Sequence, residues 1–472
     1  MTTSEASSTC RSTRSRAVIV FSPMRYWRVA PCRSMRVPMA AVIAASSRPH
    51  HRASGPCAIS AKGPHHVRNG PARNPALTGQ RAVTVESEVG ISTAPNTAQS
   101  ESLAMIAISS LHLDRSSLEV TWDDHTVTRY PWIWLRDHAH DDGTMHPVTQ
   151  QRQLFTAALP LDLVGTAAEV GDDTIDLTWS DDSPNSVLPV SFLAKYRTPA
   201  VPRATADTAI TLWDGSFIRA HVPMVPHGAV MNSEDGVREW LAKTAEYGFC
   251  LAVGTPATPE ATEALLRRIG YVRETIFGGM WEFTADLTKA DTAYTNLELR
   301  PHTDGTYSND APGVQLLHCL QFEGTGGEST MVDAFAVARH MQTAMPEHFA
   351  TLSSVAVPGQ YIGDGAHLMA ARPVFRHDHA GHLVQVSFNN YDRAPFLLPE
   401  HEMIAFYDAL RAFDTLANDP SMQWRHVLAP GEALLFDNWR VMHGRGSFTG
   451  LRRMCGGYVN REDVESRLRQ LS

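Results

Sequence analysis

Three residues in this chain have side-chain types and a spacing suited to binding a redox-active metal ion. His302 and Asp304 lie two positions apart in LELRPHTDGTY, and His443 lies far along the chain in LLFDNWRVMHGRGSF. Residues i and i+2 of a strand point to the same face, so an extended segment presents His302 and Asp304 together and turns Thr303 away. Two imidazoles and one carboxylate can bind one face of an octahedral Fe(II), leaving the other face for a chelating co-substrate and O2. A distant strand must then bring His443 beside the other two.

The His-x-Asp motif alone is a weak signal, because it occurs three times in the chain. The two other copies are His112-Leu-Asp114 and His140-Asp-Asp142. The third copy has a distinctive context, since the strand-like segment ALLFDNW precedes His443 and two arginines, Arg452 and Arg453, follow after a short loop. An arginine at this distance can hold the far carboxylate of 2-oxoglutarate through a bidentate, charge-assisted pair. This context favours a metal site over a solvated surface pair.

Composition bounds the class of protein. The 472 residues allow two or three domains, and 43% hydrophobic with 19% charged residues is typical of a soluble protein. No apolar run is long enough to span a membrane. The net charge is −9, and the residues that follow position 104 are acidic and show no basic stripe, which argues against nucleic-acid binding. The six cysteines have no paired spacing, which favours a reducing compartment over a disulfide framework.

Residues 1–104 form a basic leader that we expect to be disordered. This segment is rich in Arg, Ser, Pro and Ala and carries 13 basic and 4 acidic residues. It lacks helical or strand periodicity. Two interpretations stay open: an organelle transit peptide, which would make the location mitochondrial instead of cytoplasmic, or upstream sequence before a true start at Met105.

Residues 105–205 predict a small β-rich N-terminal domain. Short segments alternate apolar and polar residues and are separated by Asp, Gly and Asn turns. The segments predicted as strands are SSLEVTW, HTVTRYPWIWLRD and DTIDLTWSDDS.

Residues 206–472 predict a catalytic domain that is mainly β with flanking helices. Two helices have clear signals: one begins after Ser233 and ends at Gly248, and the other begins after Thr258 and stops at Gly270. One long amphipathic helix, from about Pro399 to Leu416, interrupts the strand runs that follow. Many strands carrying a metal site on facing segments indicate a double-stranded β-helix of the jelly-roll or cupin type.

Longer motifs make most of residues 130–465 resemble a known family. The chain is similar to the γ-butyrobetaine/trimethyllysine dioxygenase family of Fe(II)- and 2-oxoglutarate-dependent hydroxylases, and it resembles the trimethyllysine branch more closely. DTAYT and NNYDRA are the segments that favour this branch. The motifs shared with the family are WLRDH, QQRQL, RETIFGGMWEFTADL, DTAYT, HTDGTY, HCLQFEGTGG, NNYDRA, DNWRVMHGR and SFTG.

The resemblance implies roles for residues around the metal. His302, Asp304 and His443 align with the iron ligands. Arg452 aligns with the arginine that binds 2-oxoglutarate, and Ser329 with a hydroxyl that often contacts the same co-substrate. The loop after His443 is shorter than is usual in the wider superfamily, so Arg453 is an alternative to Arg452.

The resemblance also implies a substrate pocket for a quaternary ammonium compound. An aromatic cage would form from Phe277, Trp281, Tyr294 and Tyr458, because a trimethylammonium group donates no hydrogen bond and is best bound by π faces. Asn389 of NNYDRA is a further substrate-binding candidate. Asp291 replaces an asparagine of butyrobetaine enzymes, and its carboxylate would pair with the α-ammonium of an amino acid. Gly305, where butyrobetaine enzymes have a tyrosine, also favours trimethyllysine as the substrate. Phe277 is a departure from the family's pattern, because a tyrosine is common at that position of the cage.

The N-terminal domain departs from the butyrobetaine enzymes. Those enzymes carry a zinc-binding cysteine cluster after WLRD, but this chain reads HAHDDGTMHPV there and has no thiolate. A run of mixed polar residues is typical of a solvated turn, so we expect no zinc. The potential ligands in this run are His138, His140, Asp141 and His146.

Together these features predict an Fe(II)- and 2-oxoglutarate-dependent dioxygenase that uses O2, is stimulated by ascorbate and hydroxylates Nε-trimethyllysine at C3, as in carnitine biosynthesis. Alternative substrates are γ-butyrobetaine or a trimethylaminoalkylphosphonate. A non-catalytic cupin-type binding protein is the alternative from another class. The family implies a homodimer.

Overall fold

The computed structural model describes residues 106–181, 183–198, 210–284, 296–363 and 365–472. The chain divides into two units, Met1–Ala98 and Gln99–Ser472, of which the first lies outside the described residues. The predicted leader and the possible start at Met105 therefore also lie outside them. None of the helices in the described ranges is both long and apolar enough to cross a membrane.

The N-terminal region contains two antiparallel three-stranded sheets, β1-β2-β3 and β4-β5-β6. Their apolar side chains, including Leu118, Trp122 and Ile175, form one buried cluster. The elements are β1 Ile108–Leu113, β2 Ser117–Trp122, β3 Val127–Pro131, α1 Trp132–Asp137, β4 Gly165–Val170, β5 Thr174–Trp179, β6 Ser186–Pro189 and α2 Val190–Lys195.

The prediction of one strand over HTVTRYPWIWLRD is wrong in its second half, where WIWLRD forms α1. Pro131 has no N–H to continue the sheet ladder, and it precedes the first helical residue. Trp132 and Leu135 are buried with the spacing of a helical face. Aromatic and β-branched composition suggested a strand, but the proline and the three-residue apolar spacing determine the helix.

The second region opens with short helices around the first strands of the catalytic domain. Ser233 accepts a hydrogen bond from the backbone N–H of Gly236, and Gly248 ends the helix in the left-handed conformation at φ 81°. Thr258 caps the next helix as predicted, although that helix ends at Arg267, before Gly270. The elements are α3 Gly215–Ala220, β7 Met224–Pro226, α4 His227–Asn232, α5 Glu234–Tyr247, β8 Phe249–Val253 and α6 Pro259–Arg267.

The remaining elements carry two sheets and a helical cover. They are β9 Met280–Thr284, β10 Leu299–His302, β11 Val314–Gly326, β12 Ser329–Asp333, α7 Ala334–Ala344, α8 Pro346–Ser354, β13 Val357–Gly363, β14 Ala366–Arg372, β15 Phe375–His377, β16 Leu383–Val386, α9 Glu400–Ala417, β17 Gln423–His426, β18 Glu432–Asp437, β19 Val441–Arg445, β20 Phe448–Val459 and α10 Arg461–Leu471.

The two catalytic sheets have the strand orders β7-β8-β18-β11-β20-β9 and β10-β19-β12-β17. Side chains from both sheets share one buried cluster, in which Leu251 and Phe436 of the larger sheet meet Met331 and Trp424 of the smaller. The packing confirms the predicted mainly-β fold of jelly-roll type. It also positions β10 and β19, which carry the candidate ligands, side by side.

The sequence interpretation included only one of the helices between residues 271 and 460. The helix near Pro399 is confirmed as α9, but α7 and α8 were missed. Asp333 begins α7 by accepting hydrogen bonds from the backbone N–H groups of Phe335 and Ala336. Helices α7, α8 and α9 cover a second apolar cluster around Phe406 and Phe413.

A buried ion pair fixes the start of β19. The Arg440 guanidinium contacts the Asp333 carboxylate at 2.8 Å, and both side chains are at most 2% exposed. Arg440 also donates to the carbonyls of Glu246 at 2.8 Å and Thr211 at 2.6 Å. This network satisfies both buried charges and holds β19 three residues before His443.

Candidate active site

His302 and His443 lie directly opposite each other on the antiparallel strands β10 and β19. Their ring centroids are 4.4 Å apart. The Nδ1 atom of His302 lies 2.8 Å from the Arg300 carbonyl oxygen, which orients Nε2 towards the site. Strand pairing therefore sets the separation of the two imidazoles.

Asp304 completes a group of three potential ligands whose donor atoms lie within 4.8 Å of one another. Its carboxylate oxygens are 3.5 Å from His302 Nε2 and 3.6 Å from His443 Nε2. Donors on one face of an octahedral ion, at about 2.1 Å from the metal, lie about 3 Å apart. The three residues thus fit an iron ion with only small side-chain movements.

The charges at this group suit a metal ion. Burial would raise the pKa of Asp304, but the two imidazoles and the Tyr458 hydroxyl outweigh it and lower that pKa, so the carboxylate is ionised. Burial lowers the pKa of His443 to about 4, which keeps this imidazole neutral and able to bind. Burial opposes protonation of His302 too, yet the neighbouring Asp304 carboxylate raises its pKa.

Asp304 is held through its backbone and its side chain. Asn438 accepts a hydrogen bond from the Asp304 N–H at 2.8 Å and donates to the carbonyls of Asp304 and Pro312 at 3.1 and 2.9 Å. The Tyr458 hydroxyl donates to Asp304 Oδ2 at 2.8 Å. Thr303 points away as predicted, and its hydroxyl accepts from the Phe388 N–H at 3.0 Å. These contacts orient the carboxylate towards the histidines.

The turn after Asp304 requires glycine at position 305. Gly305 has φ +70°, a conformation that side chains rarely adopt, and a Cβ there would lie 2.5 Å from Pro312 Cδ. A tyrosine at position 305 would therefore require a different turn.

The three potential ligands line a cavity of about 320 Å³. Its wall combines arginines, carboxylates and aromatic rings, and the predicted site residues found there are Phe277, His302, Asp304, Ser329, Asn389, His443, Arg452 and Tyr458. The cavity thus collects most of the residues chosen from the sequence.

Arg452 and Arg453 occupy different environments. Arg452 lines the cavity, and burial, helped by Arg445, lowers its pKa to about 10, so it stays protonated at neutral pH. Arg453 instead pairs with Glu282 at 2.6 Å, and both side chains are 41% exposed. Ser329 is buried and lines the cavity, where β12 pairs it with Arg445 of β19. The geometry favours Arg452 for an anionic co-substrate.

The aromatic residues predicted as a cage separate into two groups. Phe277 and Tyr458 line the cavity. Trp281 does not: its ring stacks on Phe283 with centroids 4.4 Å apart and fills the space beside Gly456, where a Cβ would lie 2.2 Å from the indole. The pairing of β9 with β20 therefore places Trp281 behind the wall, as a support for Phe283 and Tyr458.

Asn389 lines the cavity and donates to the Asp392 carboxylate at 2.8 Å. Asp291 and Tyr294 lie outside the described residues. Their predicted contacts with substrate stay predictions.

Several cavity residues were missed by the sequence interpretation. Arg445 could have been found, because it lies two positions after His443 on the same strand face. Tyr307, Tyr361 and Asp392 carry no comparable local signal, since loops and the β13-β14 hairpin bring them together from distant segments. Tyr361 contacts both Phe277 and Tyr307, with centroid separations of 6.3 and 5.3 Å.

The polar run of the N-terminal domain has local contacts. His138 Nδ1 lies 2.8 Å from the Trp134 carbonyl oxygen, and His146 Nδ1 accepts from the N–H groups of Val148 and Thr149. His140 packs against the Phe192 ring. Within the described ranges, the group compatible with a metal ion is the one formed by His302, Asp304 and His443.

Two histidines and one carboxylate grouped on neighbouring strands of a jelly roll define a class, the non-haem oxygenases with a three-residue metal face. Family models agree with this class. Residues 219–458 match the taurine catabolism dioxygenase TauD, TfdA family, and residues 109–194 match the gamma-butyrobetaine hydroxylase-like N-terminal domain.

Curated relatives cover most of the chain. The trimethyllysine dioxygenase of Meyerozyma guilliermondii is 34% identical over 376 residues, which are 76% of this chain and 94% of the relative. The mitochondrial trimethyllysine dioxygenase of Homo sapiens is 34% identical, covering 79% and 92%. The gamma-butyrobetaine dioxygenase of Pseudomonas sp. is 31% identical, covering 75% and 93%. The chain belongs to the trimethyllysine/γ-butyrobetaine dioxygenase family, within the TauD, TfdA group.

Solved structures show a more distant likeness. A taurine dioxygenase from Burkholderia xenovorans matches with a TM-score of 0.39 and 14% identity, covering 49% of this chain and 83% of the other. An asparagine oxygenase matches with a TM-score of 0.40 and 16% identity, covering 50% and 83%.

Proposed function

We propose that this protein is an Fe(II)- and 2-oxoglutarate-dependent dioxygenase that hydroxylates Nε-trimethyllysine at C3. The observation that carries the proposal is the convergence of His302, Asp304 and His443 in a cavity that also contains the buried Arg452 guanidinium. The names of two relatives that are 34% identical to this chain support the substrate class.

His302, Asp304 and His443 would hold Fe(II) through two neutral nitrogens and one anionic oxygen. Bound iron supplies the oxidising chemistry that couples decarboxylation of 2-oxoglutarate to insertion of one oxygen atom of O2 into a C–H bond. The protein contributes by orienting the ligands: Tyr458 holds the Asp304 carboxylate, Asn438 holds the Asp304 backbone, and the Arg300 carbonyl holds the His302 ring. This support keeps the metal face arranged before the ion binds.

Arg452 would bind the distal carboxylate of 2-oxoglutarate, with the Ser329 hydroxyl as a second donor. A guanidinium matches a carboxylate in a bidentate pair, and burial strengthens that pair. Arg445 also lines the cavity and adds a second positive charge, which helps burial to lower the pKa of Arg452. A dicarboxylate would thus meet two cations at this end of the cavity.

The aromatic part of the wall would bind the trimethylammonium group. Phe277, Tyr307, Tyr361 and Tyr458 line the cavity, and an aromatic face attracts a quaternary cation by about 0.5–2 kcal/mol. Asp291, which lies outside the described residues, stays a predicted partner of the α-ammonium. On that hypothesis, Asp291→Asn narrows the preference for trimethyllysine over γ-butyrobetaine.

Two other functions compete with this one. Hydroxylation of γ-butyrobetaine or of a trimethylaminoalkylphosphonate would use the same iron and aromatic groups. The similarity to a gamma-butyrobetaine dioxygenase is a reason to include both compounds in the substrate panel. A non-catalytic cupin-type binding protein would not need a complete ligand set beside a buried cavity arginine.

The test is succinate formation by the purified protein with Fe(II), 2-oxoglutarate, O2 and ascorbate, measured across a panel of trimethylammonium compounds. We expect coupled turnover with trimethyllysine, and its loss on chelation of iron or in Asp304→Ala with unchanged circular dichroism. Preferential turnover of another compound in the panel would show that this compound, and not trimethyllysine, is the substrate. Normal turnover by a folded Asp304→Ala protein would show that the three potential ligands do not form the catalytic metal site.

Assembly and location complete the proposal. A homodimer rests on the family resemblance, and sedimentation velocity measures it directly. A cytoplasmic or mitochondrial location depends on the leader, and fractionation of cells that express the full chain separates the two. Several relatives carry the word mitochondrial in their names.

A further inference from the structure

Gln315 is a buried polar side chain on β11 that lines the active-site cavity. The residue is 3% exposed, and within the described part of the chain its amide oxygen, Oε1, has no hydrogen-bond partner. Buried polar atoms are nearly always hydrogen-bonded, because an unpaired one destabilises the fold. We infer that Gln315 accepts a hydrogen bond from the α-ammonium group of the substrate and so determines specificity for an amino acid; this inference rests on the proposed function.

Strand pairing directs Gln315 towards the metal group. β11 lies between β18 and β20, and Gln315 is opposite Phe436 on one side and Tyr458 on the other. Side chains opposite each other on antiparallel strands lie on the same face of the sheet. The centroid of the Phe436 ring is 4.8 Å from that of His443. The Tyr458 hydroxyl donates to Asp304 at 2.8 Å. Gln315 therefore lies between two side chains that each contact a potential metal ligand.

The chemistry of an amide oxygen selects one group among the expected ligands. This oxygen only accepts hydrogen bonds, so its partner must carry an N–H or O–H donor. The trimethylammonium group has no such donor, and neither has the 2-oxoglutarate dianion. A primary α-ammonium has three N–H donors, and its positive charge strengthens the bond. Of these groups, the α-ammonium is thus the one that the Gln315 oxygen can bind.

Hydroxylation at C3 requires the α-ammonium to lie close to the metal. The α-nitrogen of trimethyllysine is two bonds from C3, about 2.5 Å away, whereas the quaternary nitrogen is about 5 Å away in an extended chain. A side chain that binds the α-ammonium must therefore lie beside the metal ligands. Gln315 satisfies this condition through its place between Phe436 and Tyr458.

The unpaired oxygen also predicts how Gln315 affects the stability of the substrate-free protein. Methionine has the unbranched shape and nearly the length of glutamine, so Gln315→Met replaces the amide with an apolar group. Because this change removes a buried acceptor that has no partner, the urea midpoint of the substrate-free protein should equal or exceed that of wild type. A residue that only supported the fold would give a lower midpoint.

The experiment compares two substrates that differ only in the α-ammonium: Nε-trimethyllysine and 6-(trimethylammonio)hexanoate. Succinate formation gives kcat/KM for each with wild type, Gln315→Met, Gln315→Glu and the control Gln321→Met. Gln321 lies on the same strand, and its amide donates to Glu323 at 2.6 Å, away from the cavity lining.

We expect Gln315→Met to lose about ten- to a hundredfold in kcat/KM with trimethyllysine, the effect of losing one buried charge-assisted bond. The loss with the hexanoate should be less than about threefold, and the KM for 2-oxoglutarate should stay unchanged. Gln315→Glu keeps an acceptor and should retain the preference for trimethyllysine, and Gln321→Met should behave as wild type.

The comparison of substrates separates recognition from a role in folding or in metal binding. Equal losses with both substrates, or no loss with trimethyllysine, would overturn the inference while leaving the proposed function intact. A urea midpoint of Gln315→Met clearly below wild type would also overturn it, as would loss of the preference in Gln315→Glu. Wild-type protein that turns over no trimethylammonium compound would overturn the proposed function itself, and this inference with it.

Discussion

Arg452 and Arg453 are neighbours on β20, yet only Arg452 lines the cavity. Its guanidinium lies 5.7 Å from the Phe448 ring centroid and, among the described residues, pairs with no carboxylate. Arg453 pairs with Glu282 across the β9-β20 edge. We predict that Arg452→Lys raises the apparent KM for 2-oxoglutarate and that Arg453→Lys, the matched control, does not.

The size of the effect follows from the two environments. A buried charge-assisted pair contributes about 1.5–3 kcal/mol, and lysine keeps the charge but loses the planar fork. Since about 1.4 kcal/mol corresponds to tenfold, Arg452→Lys should raise KM about tenfold, and Arg452→Met about a hundredfold. The Arg453–Glu282 pair is partly exposed and contributes at most about 1 kcal/mol to stability, so Arg453→Lys should change KM by less than about twofold.

The assay is succinate release at saturating trimethyllysine with 2-oxoglutarate varied. The KM for trimethyllysine in Arg452→Lys serves as an internal control, because loss of co-substrate binding alone leaves it nearly constant. A large KM increase in Arg453→Lys with a wild-type value in Arg452→Lys would refute the reasoning from cavity geometry, and would place the co-substrate on the outer face of β20.

Three further predictions concern the framework of the site. Asn438→Ala removes hydrogen bonds to both backbone groups of Asp304, so it should destabilise the fold by about 2–4 kcal/mol and weaken Fe(II) binding, measured by urea unfolding and metal titration. Arg440→Met leaves the Asp333 carboxylate buried without its cation and should cost about 3–5 kcal/mol, with a smaller cost when Asp333→Asn is added. Burial, with a smaller effect of His227, lowers the pKa of His318 to about 4. Unfolded histidine binds a proton near pH 6.5, so His318 should contribute a loss of about 1.4 kcal/mol of stability per pH unit from about pH 6.5 towards 4. His318→Asn should remove that contribution and make the loss less steep in urea titrations.

Local rules were sufficient for the core of the site and for the capped helices. The two-residue strand period predicted that His302 and Asp304 share a face, and Ser233 and Thr258 begin helices as their side-chain chemistry requires. These features depend on residues close in sequence, so a single chain contains the necessary information. The distant His443 was chosen because a strand-like segment and a following arginine accompany it, and the structure groups it with the other two.

Features that depend on strand register, or on loops that come together from distant parts of the chain, could not be predicted from local sequence patterns. Trp281 was expected in the cage, but the pairing of β9 with β20 and the space beside Gly456 decide where its ring packs. Asp392 reaches the cavity because its loop pairs with β13, which no local pattern reveals. The WIWLRD helix was missed because apolar aromatic runs suit strands and helices alike, and the effect of Pro131 was not weighed.

The pairing of His302 with His443 also bears on the order of folding. The two histidines are about 140 residues apart in sequence and become neighbours only when β10 and β19 dock. Contacts of such long sequence separation form late, because the loop must close before they stabilise anything. A metal ion would therefore bind after the domain has folded and would not speed its folding. Saturating Fe(II) should slow unfolding while leaving the rate of refolding nearly unchanged. The bound ion would therefore extend the lifetime of the native state.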